Sequence, residues 1–358
     1  MVEHKILVLF GGPSAEHDVS LRSARTVVEA LLERASVWPV WIHADGRFAV
    51  AKPLPRGSHL QGTWSELCAT PAAAAPQVAA LAEWADVVFP CVHGRFGEDG
   101  VLQGFCQVLG LPCVGSSLAV CALTMDKQRT KDAVRERTSV AMAGSVVHLR
   151  SGYEQNPQAE RQRVQDLQLP WVVKPVAAGS SVGLTRVDDE AHWTAAVEAA
   201  LAVNESPGAM VEEYIQGEEL TCLVVGTVTQ GYRTFPLVSI RPRLADMFDY
   251  VSKYQPGGAD EICPAPVADS IRDRVQSAAL SVCTALETSG AARVDFILRD
   301  EQPVLLEVNT MPGFTEESLA PRAAAAAGVS LPELFIELVQ LATSDVQRRA
   351  STAGTGGS

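Results

Sequence analysis

Apolar and polar positions follow two different periods along this chain. Ile6–Phe10 is an unbroken apolar run, as in a strand covered on both faces. Gly11-Gly12-Pro13-Ser14 stops it, and apolar residues then recur at Val27, Val28, Leu31 and Leu32, a spacing that predicts a helix. Val37–Ile42 and Val87–Val92 repeat the strand pattern, and a helix over 101–109 and a short strand Leu111–Val114 are expected to follow. Residues 45–80, rich in Pro, Gly and Ala, carry little pattern beyond a short hairpin. Strand, glycine turn and helix in that order open a doubly wound α/β unit, in which ligands gather at the carboxyl ends of the strands.

Beyond residue 115 the pattern changes. Helices are predicted over Ser117–Met125 and Asp126–Arg137, then a buried strand at Trp171–Lys174, a loop of Gly179-Ser180-Ser181-Val182-Gly183, a strand Leu184–Val187, a helix over 188–201 and a strand Met210–Ile215. Leu220–Val228 and Tyr232–Ile240 read as an antiparallel pair. An irregular segment, 241–266, follows, and segments of that length without structure are commonly lids. A helix over 268–288 precedes two apolar runs, Val294–Leu298 and Leu305–Val308, joined through Arg299-Asp300-Glu301-Gln302 as a hairpin. Residues 316–342 are helical in pattern, and 346–358, ending in Thr352-Ala-Gly-Thr-Gly-Gly-Ser358, are expected to form a disordered tail. Three subdomains are expected, 1–115, 116–212 and 213–345.

Charge and composition narrow the possibilities. The 358 residues hold 29 basic and 42 acidic side chains, a net charge of −13. That balance disfavours nucleic acid or an anionic membrane as a main partner. No run of about 18 apolar residues exists, so no membrane span is expected. The opening residues enter a strand directly and lack a signal-peptide pattern. Eight cysteines form no C-x-x-C pair and sit among apolar neighbours, as reduced thiols of a cytoplasmic protein do.

Candidate chemistry concentrates at the predicted hairpin. Arg293 and Asp295 are two apart and share a face, and so do Glu307 and Asn309. Two carboxylates, an amide oxygen and a guanidinium thus converge, either as a site for a hard divalent cation such as Mg²⁺ or as a solvated outer face. Lys174 and the glycine-serine loop after it offer a charge and backbone N–H groups to phosphate, without the spacing of a Walker loop. Met210–Ile215 is an apolar strand that could meet a purine, with Glu219 near enough for ribose hydroxyls. His93 and Glu98 flank turn glycines at a strand end, Glu16 sits where the first helix begins, and Lys253 lies in the lid candidate. Gly11-Gly12 lacks the third glycine of a dinucleotide fingerprint, which leaves a nicotinamide-dependent oxidoreductase with little support.

Taken together, these motifs resemble the D-alanine–D-alanine ligases of the ATP-grasp superfamily. The resemblance rests on Gly11-Gly-Pro-Ser-Ala-Glu16-His17-Asp-Val-Ser20, His93-Gly-x-x-Gly-Glu98-Asp-Gly100, Met125-Asp-Lys127, Lys174-Pro-x-x-x-Gly179-Ser180-Ser181-Val-Gly183, Lys253-Tyr254 and Glu307-Val-Asn309-Thr-x-Pro-Gly313, in that order. It implies an ATP-grasp fold, with a Rossmann-like N-terminal subdomain and two α+β subdomains clamping ATP. It implies ligation of two D-alanines through an acylphosphate for peptidoglycan synthesis, with two Mg²⁺ or Mn²⁺ ions, in a cytoplasmic homodimer. By motif match, Lys127, Lys174, Ser180, Ser181 and Lys253 meet ATP phosphates, Glu212, Glu213, Tyr214 and Ile215 meet adenine through their backbone, and Glu219 meets ribose. Asp295, Glu307 and Asn309 match the metal ligands, and Arg293 with the Gly313 N–H matches the oxyanion site. Glu16 matches the holder of the first substrate's ammonium, with His93 and Glu98 beside it, and Ser318 and Leu319 match the second substrate's carboxylate pocket. Glu16, Ser180 and Tyr254 match a hydrogen-bonded set that ties the lid down. Val176-Ala177-Ala178 departs from the polar residues many relatives carry, Glu213 from a lysine, and Glu317 adds a carboxylate beside the acceptor pocket. D-serine or D-lactate as acceptor are the alternatives, and Tyr254 favours an amine.

Overall fold

Three sheets carry the chain. In this computed structural model, residues 3–60, 78–179, 182–203, 206–243 and 258–353 are described, with side chains as far as residue 344. The first sheet holds β1 (Lys5–Gly11), β2 (Ser36–Ile42), β3 (Phe48–Val50) and β4 (Val87–Cys91) in the order β3-β2-β1-β4. β1 runs parallel to both β2 and β4, and all but its first residue is buried, the burial its apolar run requires. β3 pairs antiparallel with β2 and is the expected short hairpin. The helix His17–Leu32 buries Ser20, Ser23, Ala24, Val27, Val28 and Leu31. Its Ser20 hydroxyl accepts from Gly11 N–H at 2.6 Å and donates to Cys91 O at 2.5 Å, pinning the helix to the carboxyl ends of β1 and β4. Gly11 has φ +90°, and a Cβ there would lie 2.1 Å from Ile42 O, so the turn demands glycine.

Several expectations in this region need correction. The helix Val78–Trp84 begins inside the stretch 45–80 read as loop and runs beyond it, and its seven residues are too few for a clear period. Leu111–Val114 makes only an isolated bridge, Val88 to Cys113. The rest of the poorly patterned stretch, 61–77, lies outside the described residues.

The helices Leu118–Met125 and Lys127–Arg137 form as expected, each capped by the residue before it. Ser117 Oγ accepts from Val120 N–H, and Asp126 Oδ1 accepts from Arg129 N–H. A two-residue strand, β5 (Ala141–Met142), then joins the third sheet. β6 (Ser145–Leu149), β7 (Trp171–Pro175), β8 (Thr185–Val187) and β9 (Gly208–Glu213) make an antiparallel second sheet in the order β6-β9-β7-β8. Neither β5, β6 nor the helices Arg150–Gln155 and Pro157–Gln162 are legible in the pattern, because each is shorter than two helical turns or a full alternation. The predicted helix 188–201 begins later, at Trp193–Ala202, since Asp189 caps a 3₁₀ turn first. That helix packs Trp193, Val197 and Ala200 on Val173 and Val211.

The third sheet has seven strands. β10 (Glu218–Thr227) pairs antiparallel with β14 (Gly290–Arg299), which pairs with β15 (Gln302–Asn309), which takes β5 at its edge. On its other side β10 meets both β11 (Gly231–Thr234) and β12 (Val238–Pro242). These replace the single strand expected over Tyr232–Ile240, and Pro236, which lacks an N–H, falls in the break. β13 (Ala259–Ile262) pairs with β12, so within the segment 241–266 the residues 241–242 and 259–262 are strand. Residues 244–257, with Lys253 and Tyr254, lie outside the described residues.

One face of this sheet is covered by the helix Asp269–Leu286, with Val275, Val282 and Leu286 set against Cys222, Val224 and Phe296, and Val134 joining from the helix Lys127–Arg137. The other face packs Leu223 and Val225 into the same core as Val8, Phe10 and Val27 of the first sheet. Phe89, Phe314 and Phe335 meet there edge to face, with centroids 5.1–6.0 Å apart. The helical C-terminal segment is two helices, Leu319–Ala326 and Leu331–Ala353, bent by 105°. The second runs through 346–353, where a tail is expected, because Gln347-Arg-Arg-Ala350 continues a helix without conflict. Among the described residues no single helix is long and apolar enough to cross a membrane.

Candidate active site

The hairpin of β14 and β15 sets the geometry. Its register places Asp295 opposite Glu307 and Arg293 opposite Asn309. Arg293 grips Asp295 with two N–H groups, Nε to Oδ1 at 2.9 Å and a terminal nitrogen to Oδ2 at 2.7 Å, and stands 3.9 Å from Glu307 Oε1. Thr221, on the neighbouring β10, donates to Asp295 Oδ1 at 2.5 Å. Burial alone would lower the Arg293 pKa, but the charges of Asp295, Glu307 and Glu219 outweigh it and raise it, so the guanidinium stays protonated. A bulge falls just beyond Asp295: Phe296 pairs with Leu305, leaving Leu306 unopposed. Strict alternation would send Leu306 and Glu307 to opposite faces, yet both line one pocket.

That pocket holds about 180 Å³. Val172, Leu184, Tyr214, Ile215, Ile240 and Ile297 give it apolar walls, and Lys174, Glu219 and Asp295 supply polar ends. The larger cleft, about 650 Å³, is lined by Glu16, His93, Glu98, Arg293, Asn309, Gly313, Ser318 and Leu319. Lys127, Ala178 and Glu307 line both. Lys127 donates from Nζ to Ala178 O at 2.7 Å and stands 3.8 Å from Glu307 Oε2, at the junction.

Around the small pocket, Lys174 Nζ is 2.5 Å from Glu212 Oε2, and Lys131 donates to the other oxygen of the same carboxylate. Burial pushes the Glu212 carboxyl up, but the two lysines outweigh it and hold it at about 2. Glu213 turns away and accepts from Gln168 N–H at 3.2 Å, and Arg186 lies over the Tyr214 ring at 4.5 Å. In the large cleft, Glu16 begins the helix His17–Leu32, and its Oε2 occupies space that a side chain on Gly94 or Gly179 would enter. His93 is buried, with Nε2 3.0 Å from Ser23 Oγ and Nδ1 3.5 Å from Glu98 Oε1. Burial raises the Glu98 pKa, and the charge of Glu16 adds to that. Ser318 Oγ lies 2.7 Å from Thr315 Oγ1 and accepts from Thr315 N–H, close to Gly313.

The structure therefore brings Glu16, His93, Glu98, Lys127, Arg293, Glu307, Asn309, Gly313, Ser318 and Leu319 to one cleft, and Lys174, Glu212, Glu213, Tyr214, Ile215, Glu219 and Asp295 to the pocket joined to it. Ser180, Ser181, Lys253 and Tyr254 lie outside the described residues. Sequence reasoning missed Lys131, Thr221, Ser23, Glu261 and Arg322. Lys131 carried a signal, since it stands four residues after Lys127 on a helix, hence on the same face. Glu261 and Arg322, 3.4 Å apart, line the large cleft from β13 and from the helix Leu319–Ala326.

For a divalent cation, Asp295 and Glu307 offer two carboxylates, and the Asn309 amide oxygen is held in place by accepting from Met311 N–H at 2.8 Å. Hard oxygen donors of this kind suit Mg²⁺ completed by water and phosphate. Among the described residues no three His, Cys, Asp or Glu side chains could hold a metal together, so such an ion would depend on the amide and on a bound phosphate.

Comparisons with known proteins agree with this geometry. A family described as "D-ala D-ala ligase N-terminus" matches residues 5–116, and "D-ala D-ala ligase C-terminus" matches 136–340. A D-alanine–D-alanine ligase of Mycobacterium sp. (strain KMS) is 38% identical over 95% of this chain and 96% of its own. One from Deinococcus radiodurans is 36% identical over 96% of this chain and 100% of its own. Among solved structures, the VanG D-Ala:D-Ser ligase from Enterococcus faecalis superposes with a TM-score of 0.81 at 31% identity, over 95% of this chain and 99% of its own. The D-alanine–D-alanine ligase from Coxiella burnetii gives 0.82 at 26% identity, over 99% and 97%.

Proposed function

The chain belongs to the D-alanine–D-alanine ligase family, and from that premise we propose that it joins two D-alanines at the expense of ATP, making the dipeptide of peptidoglycan precursors. The observation that carries the reading is the meeting of an apolar pocket and a polar cleft at Lys127, Ala178 and Glu307. A purine fits the first, an amino acid the second, and a polyphosphate spans the junction.

In this reading the backbone of Glu212–Ile215 takes the adenine edge and Glu219 the ribose. Lys174 and Lys127 draw the phosphates along. Glu16 holds the ammonium of the first D-alanine, with His93 and Glu98 fixing the wall beside it. The carboxylate of that D-alanine attacks the terminal phosphorus of ATP, forming an acylphosphate and releasing ADP. The amine of the second D-alanine, after losing a proton, attacks the acyl carbon, and the tetrahedral intermediate expels phosphate. Arg293 and the Gly313 N–H stabilise the oxyanion as it forms, preorganised by the grip on Asp295. Ser318 and the start of the helix at Leu319 hold the acceptor carboxylate. Asp295, Glu307 and Asn309 would hold Mg²⁺ or Mn²⁺, which neutralise phosphate charge when bound.

We place the reaction in the cytoplasm, supported by seven free cysteines among the described residues. A homodimer is our further expectation, favoured by Val101, Val108 and Leu118, which are apolar and exposed on the helices Val101–Val108 and Leu118–Met125. D-serine as acceptor is a second reading, favoured by Glu317 in the cleft wall. Incubation with ATP, Mg²⁺ and D-alanine, alone or with D-serine or D-lactate, followed by mass measurement of the product, decides between them. No phosphate release with any D-amino acid would refute both.

A further inference from the structure

Lys131 is 1% exposed and lines neither cavity; burial lowers its pKa, and the Glu212 carboxylate beside it works to keep it protonated. An ammonium so deeply buried is costly unless paired. Its partner is Glu212, and Glu212 is also the partner of Lys174, which lines the nucleotide pocket. One carboxylate, 3% exposed, is thus shared by two lysines, one oxygen to each.

Sharing has an electrostatic consequence. A lone Lys174–Glu212 pair would be neutral and would offer a phosphate little attraction. With Lys131 engaging the other oxygen, the cluster keeps one net positive charge, and Lys174 is its cation that lines the pocket, beside Glu212. The same helix, Lys127–Arg137, sets both ends of this arrangement. Its first residue, Lys127, donates its backbone N–H to Val176 O and points Nζ into the junction, while Lys131, one turn on, reaches Glu212.

We propose that Lys131 is a positioning residue for nucleotide binding: by occupying half of Glu212 it keeps the charge of Lys174 available to ATP. This rests on the nucleotide pocket assigned above. The test compares wild type, Lys131→Met and Lys131→Met/Glu212→Gln by calorimetric titration with a nonhydrolysable ATP analogue and Mg²⁺, together with KM for ATP and for D-alanine. Lys131→Met should weaken nucleotide binding and raise KM for ATP by about tenfold, the scale of one charge-assisted contact. KM for D-alanine should move less than twofold, a split that a loss of general packing would not give. The double variant removes the carboxylate that would neutralise Lys174 and should recover nucleotide affinity to within about threefold of wild type. It leaves no unpaired charge opposite Lys131, so it tests the idea even if the single variant fails to fold. Unchanged affinity in Lys131→Met, or a double variant more than tenfold weaker than wild type, overturns the proposal. Absence of nucleotide binding by the wild type would instead overturn the pocket itself.

Discussion

Glu16 lies close to two glycines, and its carboxylate can be displaced from either side. A Cβ on Gly94 would lie 2.8 Å from Glu16 Oε2, and one on Gly179 would lie 2.9 Å from the same oxygen. In both cases the atom met is the mobile end of a side chain, so the carboxylate retreats instead of the backbone. Ordinary contact begins near 3.4 Å, which asks for a retreat of about half an ångström. The two substitutions differ in backbone strain. Gly94 has φ +72°, where an alanine costs about 1–2 kcal/mol, while Gly179 has no such φ. Gly94→Ala should therefore lower stability and weaken D-alanine binding, and Gly179→Ala should weaken D-alanine binding alone. Misplacement by an ångström can cost on the order of 10²-fold, so half that distance predicts about a tenfold rise in KM for the first D-alanine. Thermal unfolding, followed by initial rates across D-alanine at saturating ATP, reads both quantities. A Gly179→Ala protein with unaltered KM for D-alanine would refute the assignment of Glu16 to the substrate ammonium.

Arg293→Ala should retain nucleotide binding while turnover falls by about 10²–10³, the usual loss for one oxyanion donor; stopped assays of phosphate release check this. Glu212, held at about 2 by its lysines against an ordinary 4.5, stabilises the fold above pH 4.5, and that contribution, on the order of 3 kcal/mol, is lost as pH falls from 4.5 toward 2. Urea unfolding across that range should show a shallower pH dependence in Lys131→Met/Glu212→Gln than in wild type. Phe335→Ala, in the aromatic cluster between the first and third sheets, should cost about 3–5 kcal/mol in chemical denaturation, since Phe335 is fully buried against Phe89 and Phe314.

Much of this arrangement is legible from the order of residues. Period-two spacing puts Arg293 with Asp295 and Glu307 with Asn309, and the hairpin register sets the two pairs directly opposite. β1 and β4 follow from continuous apolar runs, as burial on both faces requires, and β7 and β9 from the shorter apolar stretches Trp171–Val173 and Ala209–Val211 that lead into Lys174 and Glu212. What escapes is what depends on distant partners. The bulge that turns Leu306 toward the pocket is a feature of pairing with Phe296 and leaves no trace in composition. β13 is held by hydrogen bonds to β12, and a four-residue strand has too little pattern of its own. Lys131 looks like any helix-surface lysine until Glu212, 81 residues away, closes over it.

The charges at the junction give the physical reason for the proposed divalent cations. Lys127, Lys131, Lys174 and Arg293 face Glu212, Asp295 and Glu307 within ion-pair distance, four cations against three carboxylates. An incoming ATP brings about four negative charges, so some three would remain unmatched in a cleft cut into an already acidic chain. Two divalent ions would restore near neutrality, and the carboxylates, which repel a bare triphosphate, are the groups proposed to hold them. Glu307→Gln should then have opposite effects in two buffers. With chelator present it removes a repulsion, and nucleotide should bind as well as to wild type or more tightly. With Mg²⁺ present it removes a ligand, and affinity and turnover should both fall by at least about tenfold, the common loss at a disturbed metal site. Calorimetry of the nonhydrolysable analogue in both buffers distinguishes the cases. A variant weakened equally in both would mean that Glu307 meets the nucleotide directly, and the assignment of β15 to the metal would fall.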